Sequence, residues 1–335
     1  MRRRLITIPA LLLVAAVVTS AAPLWVPALL VIGFIRQRHL IALRLSLFVL
    51  VYSWMELFGV LVMTGAWILR QSDNQAFHYR LQRLWANTLF RAMQRLLQLR
   101  FVVEGQEAFE KGPFLLLMRH TSIADTVLPA ALLCGSGDFR LRYVLKKELR
   151  ADPCLDLAGG RLPNHFIDRA RVDEQELKSI ADLAQDLSDN EGVLIYPEGT
   201  RYSVGVRERV LKKLRASGSS RLGVAEELKH TLLPKVRGVA ALRGAAPDVD
   251  VVLFAHRGFE GFATMTSMLS GELVGQTVHA RFWRRDASTL GAEVATWLDE
   301  EWRRVDAYAA SFDENEPLEV NAEAARTKDS SRRSA

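Results

Sequence analysis

Between residues 101 and 309, short apolar runs alternate with longer polar stretches in which apolar residues recur at every third or fourth position. The runs at 114–118, 141–145, 193–196, 236–242, 249–255 and 278–283 have the length of strands, and they are apolar enough to lie in a sheet covered on both faces. The periodic stretches at 124–134, 173–187, 207–217 and 292–309 predict helices between them. Alternation of this kind predicts an α/β domain with a mostly buried sheet, and about 210 residues suffice for one substantial core.

The chain ahead of this domain has a different pattern. Residues 5–35 hold no charge and residues 45–69 hold only Glu56, whereas about 20 apolar residues let a helix cross a bilayer core. Both stretches predict membrane helices, so residues 1–70 are expected to form a hydrophobic, membrane-associated region. A cleaved signal peptide is the simplest alternative for the first stretch, with Arg2 to Arg4 as its basic start and Ala21-Ala22 as its end. The apolar run continues thirteen residues past Ala22, which argues against it. Two full crossings, or re-entrant or in-plane helices broken at Pro23 and Pro27, both return the chain to the side of its N-terminus. In residues 71–100, Phe77, Leu81, Leu84, Trp85, Leu89, Met93 and Leu96 recur at helical spacing, with Arg80, Arg83, Arg91 and Arg95 between them. This basic amphipathic helix suits either anionic headgroups or a core-facing position with solvated arginines. Residues 312–335 have mixed charge and no periodicity, which predicts a disordered tail.

The formal charge of the 335 residues is +6, and residues 1–44 contain six arginines and no acid, so the rest of the chain is neutral. Basicity that brackets apolar sequence points to a lipid bilayer as partner and away from nucleic acid. Cys134 and Cys154 have neither CxxC nor Cys/His spacing, so neither zinc nor a disulfide framework is expected, and a reducing, cytosol-facing domain fits. The dinucleotide glycine pattern, the P-loop, the EF-hand loop, HExxH and the Gly-x-Ser-x-Gly elbow are also missing. Nucleotide-dependent and acyl-serine chemistry lose most of their support.

The chemistry concentrates in two islands. His120 follows the run 114–118 and precedes Asp125 by five residues; in one continuous helix the two side chains would lie about 140° apart. They meet only if His120 precedes the helix, where Thr121 or Ser122 can cap it and Asp125 in its first turn can orient one imidazole nitrogen. The other nitrogen is then a base for a substrate hydroxyl. The second island follows the run 193–196: Pro197 ends the strand, Gly199 permits a sharp turn, and Glu198-Gly199-Thr200-Arg201 brings a guanidinium back to the strand end. A local Glu198–Arg201 ion pair is the plainer reading of that turn. Lys146, Lys147 and Arg169 follow two further apolar runs, so cations at three strand ends are expected to converge on a phosphate, while each alone reads as a solvated charge. Leu233-Pro234-Lys235, with Gly238 beyond it, reads as a turn entering the strand at 236–242.

The blocks His120-Thr121-Ser122-Ile123-Ala124-Asp125, Phe166-Ile167-Asp168-Arg169, Tyr196-Pro197-Glu198-Gly199-Thr200-Arg201 and Leu233-Pro234-Lys235 resemble, in this order, those of the glycerolipid acyltransferases. The type is 1-acylglycerol-3-phosphate acyltransferase, and the hydrophobic N-terminus with the last block looks like the longer branch with lysocardiolipin and lysophosphatidylinositol acyltransferases. The resemblance covers about residues 100–285. It implies a mixed, largely buried sheet flanked by helices and an acyltransferase domain over 101–311. By the same resemblance His120 and Asp125 are the catalytic pair, and Lys146, Lys147, Arg169, Glu198, Gly199, Thr200, Arg201 and Pro234 form the substrate site. The implied donor is acyl-CoA or acyl-ACP, the acceptor a lysophospholipid, first 1-acylglycerol-3-phosphate to give phosphatidic acid, then another anionic lysophospholipid. No metal or organic cofactor is implied, and the implied location is the cytoplasmic (inner) membrane with the catalytic domain facing the cytosol. Arg119 stands where the family often has asparagine, Tyr196 where it often has phenylalanine, and Asn164-His165 interrupts the approach to the second block. A lipid or thioester hydrolase and a non-catalytic lipid-binding protein are the rival readings.

Overall fold

Successive residues of an extended strand face opposite sides of a sheet, and the apolar runs here supply both sides at once. A computed structural model describes residues 3–36, 40–134, 139–169, 172–260, 265–271 and 273–311; the tail expected at 312–335 lies outside them. Four helices come first: α1 (Arg4–Ser20), α2 (Ala22–Arg36), α3 (Ile41–Ile68) and α4 (Gln75–Leu97). Then come β1 (Arg100–Glu104), β2 (Phe114–Met118), α5 (Leu128–Leu132), β3 (Arg140–Lys146), α6 (Pro153–Gly159), β4 (His165–Ile167), α7 (Glu174–Asp182) and β5 (Glu191–Ile195). The chain continues through α8 (Val204–Ala216), α9 (Leu222–Glu227), α10 (Val236–Ala245), β6 (Asp250–Arg257), α11 (Met265–Ser270), β7 (Thr277–Arg285) and α12 (Val294–Ala310).

The strands form one sheet in the order β1-β7-β6-β2-β5-β3-β4, parallel throughout except for the antiparallel β6–β7 pair. Phe114, Leu116 and Met118 of β2 pack with Leu194, Val252 and Phe254 toward α4 and α5. Leu115 and Leu117 pack with Val193, Val251 and Leu253 toward Ile180 of α7, Leu242 of α10 and Trp302 of α12. Removing either layer exposes apolar sheet, which is why the central strands carry no polar alternation.

One sequence expectation for strands needs correction, and one strand was not expected. Residues 236–242 are not a strand but the first part of α10, because Val239 and Leu242 recur at helical spacing and are buried against the sheet. Gly238 allows this close approach: a Cβ there would stand 2.9 Å from Ile195 Cδ1. β1 is an edge strand that the apolar pattern did not announce; only alternate residues are covered.

The apolar leader is three helices. α1 and α2 are bent by 61° at Ala21, ahead of Pro23, and Pro27 lies within α2 and not at a break. Among the described residues, α3 is the one single helix long and apolar enough to cross a bilayer. Its only acid is turned inward: Glu56 is buried and accepts a hydrogen bond from Trp85 of α4 at 2.9 Å. α4 presents Leu81, Leu89, Met93 and Leu97 to the interior while Arg80, Arg91 and Arg95 are exposed, so its apolar face is core-facing. Arg3 and Arg4 both pair with Asp156 of α6, tying the start of α1 to the α/β domain.

Candidate active site

The central strand β2 ends at Met118, and its neighbours β5 and β6 end on the same side, so the loops after all three meet there. Carboxyl ends of parallel strands are the usual place for a site in such a sheet. His120 projects from the loop after β2, with Nδ1 3.0 Å from Asp125 Oδ2. Asp125 lies in a short 3-10 turn (Ala124–Thr126), so the histidine precedes the helical segment as the spacing required. Nδ1 facing a carboxylate carries the proton, which leaves Nε2 as the free base nitrogen.

Neither Thr121 nor Ser122 caps the turn. The roles are reversed: Asp125 Oδ2 accepts the backbone N–H groups of Thr121 at 2.6 Å and Ser122 at 2.9 Å, and Ser122 Oγ donates to Oδ1 at 2.6 Å. Burial alone would raise the Asp125 pKa, yet His256 and His120 beside it hold the carboxyl well below the usual carboxylate range. Asp125 therefore stays ionised, and Ser122 is a buried donor to it and not an exposed nucleophile.

Glu198 is buried and touches no cation in ion-pair range among the described residues. Its Oε1 accepts the His120 N–H and its Oε2 the Leu232 N–H, both at 2.9 Å, so the alternative of a local Glu198–Arg201 ion pair does not form. Burial pushes its pKa up to about 8 against the pull of those two N–H donors. The Tyr202 N–H donates to the His120 carbonyl at 2.7 Å, so the 198–202 turn holds the His120 peptide from both ends. Tyr196 packs its ring 4.5 Å from the imidazole and donates to the Asp125 carbonyl at 2.9 Å. Arg119 is buried and donates to the His256 and His230 carbonyls and to Glu260.

The expected convergence of cations is met only in part. Lys147 is exposed and paired with Asp168 at 3.0 Å. Lys146 ends β3 opposite Ile167 of β4, one strand over from the segment that carries Arg169. Arg201 is exposed and makes no ion pair among the described residues. Burial lowers the Arg169 pKa against the pull of Glu148, and Lys235, an exposed residue whose stem is partly covered, has its pKa lowered by that covering and by the like charges of Arg169 and Lys213. Lys235 was part of a recognised block but not of the expected site. It lies across the turn at Gly199, where φ is +68° and a Cβ would stand 2.7 Å from its Nζ, while Thr200 is half-buried beside it. Pro234 is buried and its carbonyl accepts from Arg221 at 3.0 Å, so it shapes the entry to α10 and offers no free polar group.

An apolar cavity of about 260 Å³ runs along the same loop, lined by Ile123, Ala124 and Val127, then by Leu89 of α4, Tyr52 of α3 and Leu155 of α6. His256, fully buried near the end of β6, stands with Nε2 3.3 Å from Asp125 Oδ1. No sequence signal marked it, since it simply follows the apolar run 251–255 of β6.

The model of the family described as Acyltransferase matches residues 100–237, from β1 into α10. Among solved structures, the crystal structure of the 1-acyl-sn-glycerophosphate (LPA) acyltransferase PlsC from Thermotoga maritima is similar at a TM-score of 0.52 and 18% identity. The alignment covers 82% of this chain and 100% of that one. No curated protein matches the sequence. His120, Asp125, Arg169, the 198–201 turn and Lys235 all fall within the family span; His256 and Glu260 lie beyond it.

Proposed function

We propose, for a chain that belongs to the acyltransferase family, that it moves a fatty acyl group from acyl-CoA or acyl-ACP to the hydroxyl of a lysophospholipid, first 1-acylglycerol-3-phosphate. The observation that carries this reading is a histidine with one nitrogen fixed on a buried carboxylate, on a loop that also walls an apolar cavity. The cavity would take apolar chain from the donor, and the thioester carbonyl would then lie toward the His120 end of the loop, where the acceptor oxygen attacks.

In the reaction the acceptor O–H gives its proton to His120 Nε2 as the oxygen forms a bond to the thioester carbonyl carbon. Collapse of the tetrahedral intermediate breaks the C–S bond, and the imidazolium returns the proton to the leaving thiolate. A thioester is already activated, so no acyl-enzyme is needed and positioning provides much of the rate. Asp125 keeps the imidazole in the required tautomer and stabilises the imidazolium. Glu198 and Tyr202 hold its peptide in place. Arg169, Lys235 and the turn at Gly199 are the proposed grip on the acceptor phosphate, with Arg201 and Lys146 at its edge. A purely zwitterionic head group would leave that positive charge unmatched. The apolar leader, α3 above all, supports a place at the membrane, and the cytosol, where acyl thioesters are made, is the proposed side of the domain.

Competition between lysophosphatidic acid, other anionic lysophospholipids and lysophosphatidylcholine at equal concentration in one assay gives the ratio of kcat/KM values. Lysophosphatidic acid is expected to win. If lysophosphatidylcholine wins, the anionic site is rejected while acyl transfer stands; free fatty acid as the sole product would favour the hydrolase.

A further inference from the structure

We infer that His256 is a positioning residue for acyl transfer, fixing the Asp125 carboxylate from the side opposite His120. This rests on the reading of His120 as the base and deepens it. β6 runs parallel to β2 with Met118 paired to Phe254, and the Arg119 N–H continues the ladder to the Phe254 carbonyl at 3.0 Å. The same register carried two residues beyond β2 sets His120 level with His256. Two imidazoles thus stand at the ends of neighbouring strands, and Asp125 reaches between them with Oδ2 3.0 Å from His120 Nδ1 and Oδ1 3.3 Å from His256 Nε2.

The position of His256 is built from several sides. Its ring is fully buried and edge-on to Phe254 and Phe259, each centroid 5.7 Å away, and its carbonyl is held by the buried Arg119 guanidinium. Among the described residues neither ring nitrogen has a well-aligned hydrogen bond, because the 3.3 Å approach to Asp125 is off-line in this conformation. Catalytic contacts in ligand-free sites are commonly long and tighten when substrate binds. Asp125 carries the carboxylate nearest to hand for the Nε2 proton. Ser122 Oγ already anchors the same Oδ1 at 2.6 Å. With Oδ1 held by Ser122 and His256, rotation of the carboxylate is blocked and Oδ2 stays in line with His120 Nδ1. A packing role alone would be met as well by phenylalanine, since two of the neighbours are already phenyl rings.

The test compares His256→Phe, which keeps ring volume and removes the donor, with His256→Gln, whose amide N–H can replace Nε2–H. Full-length protein in detergent is assayed with palmitoyl-CoA and lysophosphatidic acid, and each variant is first melted. His256→Phe should lower kcat about 10- to 100-fold with both KM values within about twofold, and His256→Gln should retain at least about a fifth of wild-type kcat. In an Asp125→Asn background, His256→Phe should cost less than about threefold more, because the residue it acts through is already impaired. Wild-type kcat in His256→Phe would overturn the inference. So would equal losses in well-folded Phe and Gln variants, or the full loss repeated in the Asp125→Asn background. Should the Phe variant melt well below wild type, His256→Leu takes its place with the same expectations. His120→Ala is assayed alongside: if it is inactive while His256→Phe is fully active, only the role of His256 fails, whereas an active His120→Ala rejects the base assignment itself.

Discussion

At the end of β2 the polar groups are committed to one another: His120 and Ser122 to Asp125, Glu198 to two backbone N–H groups, Arg119 to two carbonyls and Glu260. Beyond β4 and at the start of α10 the cations are left more open: Arg169 is half-buried with Glu148 in its electrostatic reach, Lys235 is exposed, and neither makes an ion pair among the described residues. Proton transfer needs one nitrogen in one place, so rigidity is useful there; a phosphate grip needs positive charge that no internal carboxylate has neutralised. Damage to the first corner should therefore appear in kcat, and damage to the second in acceptor KM.

The largest effect is expected at His120 itself: His120→Ala should lower kcat by about 10²- to 10⁴-fold with KM little changed, measured on protein that melts like the wild type. Asp125→Asn should follow at about 10- to 10³-fold, because an amide can present its N–H to His120 and favour the wrong tautomer. Near-normal turnover in either would end the distinction between the two corners. At the open corner, Arg169→Ala and Lys235→Ala should each raise the acceptor KM about tenfold with donor KM unchanged, and Arg169→Lys should restore only part of the loss, since an ammonium cannot make a forked contact. An equal fall in kcat at constant KM would place both cations with the chemistry instead.

The two corners were also unequally legible in the sequence. The strands under the site were readable because β2, β5 and β6 are apolar on both faces, and the His120–Asp125 pair because both partners lie within one loop. Residues 236–242 were not, since a short apolar run fits strand and helix alike and only the packing of Gly238, Val239 and Leu242 against Ile195 and its neighbours decides. Glu198 was visible as a conspicuous acid, but its partners are main-chain N–H groups of two distant loops, which no side-chain pattern reveals. His256 is silent in the sequence because register, not spacing, brings it to Asp125. Lys147 was drawn into the phosphate set by its neighbours, whereas Asp168, just past the end of the paired strand β4, takes its charge.

Smaller effects sharpen the same contrast. Ala158 lines the cavity, so Ala158→Phe should shorten the preferred acyl chain by a few carbons while leaving acceptor KM in place, read from a series of acyl-CoA lengths. Glu198 supplies a pH test of the rigid corner. Its folded pKa of about 8 lies above the unfolded value, so its stabilising contribution is present below about pH 4.5 and is lost as pH rises through 8. The melting-temperature difference, wild type minus Glu198→Gln, should therefore shrink between pH 5 and pH 9; a difference that grows would reverse the sign of the shift.

Direct acyl transfer at His120 is tested by following thiol release and lipid mass together with purified protein. Palmitoyl-CoA alone should release almost no thiol and leave the protein without an acyl adduct. Addition of lysophosphatidic acid should release thiol in equal molar amount with phosphatidic acid, and His120→Ala should abolish both. Thiol release that is as fast without acceptor, with free palmitate as the product, would contradict the account.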